Sequence, residues 1–162
     1  MRTPKFTFMM ITVVSLSMIS MTIAVAGETG ATSGYLAFQK SEQINSSRGG
    51  TNVVTRTLVG VSHAKEKGGP LDKAQFRCHM TFVVVSGSKA PATGSGYCHG
   101  IGSAGDTWAM LLSGDEAGGK WKFLDGTGRY DLIKGLGTWQ HKGSPRDNTE
   151  RYEWEGKWEL KD

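Results

Sequence analysis

Three short stretches carry residue types that can do chemistry. Residues 100–105 read Gly-Ile-Gly-Ser-Ala-Gly, with Asp125 further on. That is the spacing that lets backbone approach a dinucleotide pyrophosphate, followed about 20 residues later by a ribose-binding carboxylate. Its context argues otherwise. Such a turn joins a buried strand to a crossover helix, whereas GSGYCH precedes it and DTWAMLL runs into SGDEAGG before a helix could form. No nicotinamide cofactor is expected, and no other cofactor is indicated.

Cys-His occurs twice, as Cys78-His79 and Cys98-His99, which invites a two-cysteine, two-histidine metal site. Successive strand residues point to opposite faces, so a bonded Cys78 and Cys98 would leave both histidines on the far side of the sheet. A disulfide behind two surface histidines is predicted, and no metal. A joint role for His79 and His99 survives only if Cys98 lies in an irregular segment.

The carboxylates offer no obvious acid or base. Glu153, Glu155 and Glu159 alternate with apolar residues and face water, and Asp106, Asp115, Glu116, Asp125, Asp131 and Asp147 sit in turns. A general acid needs a cleft and a shifted pKa. There is no G-x-S-x-G elbow and no P-loop. No catalytic residue is assigned; Arg56, Gln140 and His141 are the polar side chains best placed to point inward. Trp108, Trp121, Phe123, Trp139, Trp154 and Trp158 remain, either lining a pocket for a flat apolar ligand or filling a core. Both readings put them inside, and the sequence does not separate them. Asn45-Ser46-Ser47 matches the N-glycosylation pattern, which matters only in a eukaryotic secretory route.

The elements that must position these residues begin after an N-terminal leader. Arg2 and Lys5 precede an apolar stretch from Phe6 to Val25 that closes on Ala24-Val25-Ala26, the plan of a secretory signal cleaved after Ala26. The alternative is an uncleaved anchor, since a bilayer takes roughly 20 apolar residues. Cleavage leaves no stable membrane span and an exported, periplasmic or secreted, protein. All 23 glycines and all five tryptophans lie beyond the leader. Of 19 basic residues two fall within it, leaving 17 against 15 acidic ones, with no cationic run to track nucleic acid. The remaining chain is long enough to bury about two-thirds of its unfolded surface as one domain.

Beyond the leader the sequence reads as short alternating runs broken by Gly, Pro, Asn and Asp, with no helical periodicity. A loose tail is expected over residues 27–33 and a β domain over 34–162. Eight strands are predicted: Gly34 to Gln39, Asn52 to His63, Ala74 to Val85, Gly94 to Ile101, Thr107 to Ser113, Gly119 to Leu124, Gly135 to His141, and Tyr152 to Leu160. Parity puts Tyr152, Trp154, Gly156, Trp158 and Leu160 on one face, and likewise Phe76, Cys78, Met80, Phe82 and Val84. Eight antiparallel strands with one wet face each make a closed barrel, which removes exposed edges, or alternatively a sandwich. Glycines within strands, Gly60, Gly96, Gly137 and Gly156, favour the barrel's coiling.

Gly119-x-Trp121-x-Phe123, then Gly126-Thr127-Gly128-Arg129-Tyr130, then Ile133-x-Gly135-x-Gly137-Thr138-Trp139 resembles a segment of the allene oxide cyclase-like and dirigent-like barrels, in particular small exported bacterial members. The resemblance covers roughly Gly94 to Leu160. Leu132 stands where glycine is common in that segment. The resemblance implies an eight-stranded antiparallel barrel, and any activity it implies is a cofactor-independent cyclase, isomerase or dirigent-type one. It carries over no active-site residue. The expected role is binding of a small apolar or amphipathic ligand. Alternatives are interaction with an envelope protein or self-association into a homo-oligomer, and then catalysis.

Overall fold

The structure is a computed structural model that describes residues 27–161; the predicted leader and its cleavage point lie outside the described residues. Among the described residues no helix is long and apolar enough to cross a membrane. The strands are β1 (Thr29–Arg48), β2 (Thr51–Ala64), β3 (Gln75–Val85), β4 (Thr93–Ile101), β5 (Thr107–Asp115), β6 (Gly118–Gly126), β7 (Lys134–His141) and β8 (Thr149–Glu159), with one turn of 3-10 helix, Gly128–Tyr130, between β6 and β7. Each strand pairs antiparallel with the next, and β8 returns to β1, so the sheet is a closed eight-stranded barrel rather than a sandwich.

Seven strands begin and end within a few residues of their expected positions. The first does not. Thr29 to Ser33, expected as part of a loose tail, already pairs with β8, from Thr29 opposite Glu159 to Ser33 opposite Glu155. At its other end β1 continues to Arg48 against β2, with a register shift between Lys40 and Glu42. Neither extension has an alternating apolar pattern. Partner strands impose the conformation: Thr29 to Ser33 close the ring and so satisfy backbone groups that an unpaired edge would leave open, whereas the stretch from Lys40 to Arg48 pairs with β2 alone.

Inward positions of every strand form one core. It runs through Phe38, Leu58, Phe76, Met80, Phe82, Met110 and the five tryptophans, all buried. Ring contacts link Phe76 to Trp108 at 4.6 Å, Trp108 to Phe123 at 5.4 Å and Phe123 to Trp121 at 5.4 Å, each edge to face. Four indole N–H groups find acceptors: Trp108 at Pro70 O (2.9 Å), Trp121 at Thr138 O (3.1 Å), Trp139 at Lys120 O (3.2 Å) and Trp154 at Thr32 Oγ1 (3.2 Å). Burial therefore does not leave these donors unpaired, which would cost about 1–3 kcal/mol each.

One end of the barrel is plugged. The β2–β3 connection, residues 65–74, folds back over it with Leu71 and Ala74 buried and Pro70 fully enclosed. Ser62 Oγ holds the plug, accepting from Ala74 N at 3.0 Å and donating to Ala74 O at 3.2 Å. Tyr130 and Ile133, from the β6–β7 connection, bury beside it. That connection turns through two left-handed residues, Gly128 (φ 58°) and Leu132 (φ 55°). A left-handed non-glycine costs about 1–2 kcal/mol, against about 0.5–1 kcal/mol for the extra freedom glycine loses on folding. Half-exposed Leu132 offers little packing to lose, so Leu132→Gly should raise stability by roughly 0.5 kcal/mol. A denaturation midpoint that falls would show instead that the leucine packs usefully.

Candidate functional site

All six aromatic residues singled out from the sequence lie inside the barrel. They divide between two regions. Trp121, Trp139 and Trp154 line an apolar cavity of about 50 Å³ in the interior, together with residues of β1 to β5 and Tyr152. Trp108, Phe123 and Trp158 are not part of its lining; Trp108 packs against the plug through Pro70. The cavity walls also include Met80, Met110 and the Cys78–Cys98 disulfide, which joins directly opposed residues of β3 and β4. His79 and His99 are exposed on the outer face, where strand alternation sends them. Two neighbouring Cys-His pairs thus serve opposite sides of one sheet.

Most residues around the cavity are buried, but Leu36, Arg56, Leu112 and Tyr152 are only partly so. Arg56, Leu112 and Tyr152 mark where it meets the surface, toward the end opposite the plug, whereas Leu36 stands across from Ser62. This mouth is framed by the β1–β2, β3–β4, β5–β6 and β7–β8 turns, as the alternation of an antiparallel barrel requires.

Arg56 is the cavity's charged lining residue. It shares an inward face with Leu58, so β2 sends it into the mouth. Its Nε donates to Gln43 Oε1 at 3.1 Å, its Nη2 lies 3.4 Å from Glu116 Oε1, and its guanidinium sits over the Phe82 ring at 5.6 Å from the centroid. The ring face attracts the cation while the stem covers apolar wall. Tyr152 packs edge to face against Phe38 (5.7 Å) and Trp139 (5.6 Å). Burial, reinforced by the nearby Glu150 carboxylate, pushes its phenol well above the usual tyrosine range and keeps it protonated.

Of the other inward candidates, His141 points in and Gln140 does not. His141 stacks obliquely on Tyr152 at 5.0 Å. Its Nε2 lies 2.6 Å from Glu150 Oε2, within ion-pair range yet without an aligned hydrogen bond. Gln140 is exposed on the outer face beside Lys142, because it alternates with buried Trp139.

Glu150 is a polar group that local composition does not mark as buried. It is buried, with Ser144 Oγ donating to its Oε2 at 3.2 Å. It follows the polar run HKGSPRDNT, which reads as solvated loop. Parity contained the clue, since Glu150 shares the inward face of β8 with Tyr152, Trp154 and Trp158. Its contacts tie the β7–β8 turn to the barrel rim. Neither Glu150 nor His141 lines the cavity.

The G-x-G-x-x-G stretch ends β4 and turns directly into β5. Gly105 N donates to Gly102 O at 3.0 Å and Gly102 N to Asp106 O at 2.9 Å. It is a hairpin turn, with no helix after it to receive a phosphate.

No family profile matches the sequence, and no curated protein matches it. Among solved structures, the chain is similar in fold to two pterocarpan synthase dirigent proteins. GePTS1 superposes with a TM-score of 0.55 at 11% identity, over 85% of this chain and 93% of that one. PsPTS1 gives 0.53 at 11% identity, over 85% and 98%. At such identity the likeness is one of fold, a dirigent-like β-barrel.

Proposed function

We propose that this dirigent-like barrel is an exported binding protein that takes a small apolar or amphipathic ligand through its open end. The observation that carries the reading is the cavity beside Trp121, Trp139 and Trp154, with carbon on nearly every side and Arg56 and Tyr152 at its opening. An apolar pocket with a few polar groups is the usual form of a small-molecule site. At about 50 Å³ it is far below the roughly 300 Å³ of a drug-sized site. The ligand is therefore small, or enters as Met80 and Met110 change rotamer, which their unbranched side chains do readily.

Interaction through the outer surface is the second reading. Val59, Val61, Val83, Tyr97 and Ile101 are exposed on the outward faces of β2 to β4, and such residues suit an envelope partner or a second copy of the chain. Dirigent-type or isomerase-like catalysis ranks third. It requires a group in the cavity that gives or takes a proton. A guanidinium is a hydrogen-bond donor with no acceptor, and burial holds the Tyr152 phenol neutral.

Native mass spectrometry of the protein recovered from its export compartment tests the first reading, with the denatured mass of the same sample. A mass excess that disappears on denaturation is expected. An unliganded protein that is instead oligomeric or bound to another protein would move the function to the outer surface.

A further inference from the structure

We propose that Arg56 and Glu116 form a charge-paired gate across the barrel mouth, whose release admits the ligand to the interior. This deepens the binding reading above and rests on it. Arg56 belongs to β2 and Glu116 to the β5–β6 turn, and β3 and β4 intervene in the ring. Their contact therefore crosses the opening instead of running along the wall. Gln43 on β1 and the Phe82 ring on β3 hold the same guanidinium from two other directions. One side chain thus ties three parts of the rim over the top of an apolar cavity.

The anchor is firmer than the bond. Asp115 Oδ1 accepts from Ala117 N at 2.8 Å and Gly118 N at 3.1 Å, so the turn that presents Glu116 is braced from within. The Arg56–Glu116 contact is longer, at 3.4 Å, and the Glu116 side chain is 54% exposed. Exposed ion pairs are weak and are screened by salt. Widening the wall would break inter-strand hydrogen bonds, whereas a guanidinium swings aside by rotation about side-chain bonds alone. Entry by releasing Arg56 is the route with the fewest contacts to break.

Tryptophan fluorescence of the full, disulfide-bonded protein reads the gate with acrylamide as a neutral quencher, since all five indoles are buried and three border the cavity. Glu116→Gln, at an exposed turn position, should raise the quenching constant about two- to fivefold, the span that a surface pair of this kind controls. Salt at about 1 M should do the same in the unsubstituted protein and add little in the variant. Equal quenching in both proteins at low and high salt would overturn the gate. So would a rise in Arg56→Ala with Glu116→Gln unchanged, which would make Arg56 a steric plug. Because acrylamide is the probe, an empty barrel in the mass experiment would leave this result standing, and a ligand found behind a silent gate would remove the gate alone.

Discussion

Gly156→Ala is expected to destabilise the barrel by roughly 3 kcal/mol or more, a large loss for one methyl group. A Cβ at this position would lie 2.2 Å from Trp121 Cζ2 and 2.5 Å from Leu136 O. The ring could shift only with its neighbours, and the carbonyl belongs to the β7 ladder. Gly137 lies directly opposite on β7 and under the same indole, its own Cβ position 2.6 Å from Trp121 Cε2. Trp121 therefore occupies the volume of three inward positions on three strands. Trp121→Ala alone should cost about 3–5 kcal/mol through the void it leaves. Chemical denaturation of the two single variants and the double variant supplies the decisive comparison. Gly156→Ala should cost at least 1 kcal/mol less when Trp121 is already alanine. Equal costs in both backgrounds would show that the indole is not what excludes the methyl group.

Replacing both Cys78 and Cys98 by alanine should cost about 3 kcal/mol, the chain-entropy value for a loop of this length, and lower the melting temperature by on the order of 10 °C. The bond joins residues already opposed across β3 and β4, so its removal changes the unfolded chain more than the folded one. A reductant that reaches the disulfide should bring the unsubstituted protein to a similar midpoint. An unchanged midpoint in the double variant would place the stability of this region entirely in the strand ladder and the core around it.

Alternation made the barrel wall legible in the sequence. Trp154 and Trp158, or Phe76, Cys78, Met80 and Phe82, declare a face because an even number of residues separates each from the next, and the structure buries all of them. Where neighbours rather than side chains decide, that signal vanishes. Thr29 to Ser33 form strand through pairing with β8, and the polar stretch of β1 up to Arg48 through pairing with β2. The plug was equally silent, since residues 65–74 have loop composition and only the tertiary fold gives Leu71 somewhere to bury. At the mouth, Arg56 and His141 are inward candidates from the sequence together with Gln140, which the structure turns outward, and Glu150 is hidden among turn residues. Glycines within strands suit the coiling of a small barrel. The structure adds a second use for Gly137 and Gly156: they make room for Trp121.

The pairing of β1 with β8 joins opposite ends of the described chain, Thr29 to Glu159. Every other pairing is between consecutive strands and can form as a local hairpin. Ring closure must wait until the last strand exists, and long-range pairing of this kind slows folding. Until then the molecule is an open ribbon whose two bare borders can accept a strand from any neighbouring chain. The same contact that covers Thr29 to Gln39 in the finished protein makes its unfinished form the one most exposed to aggregation.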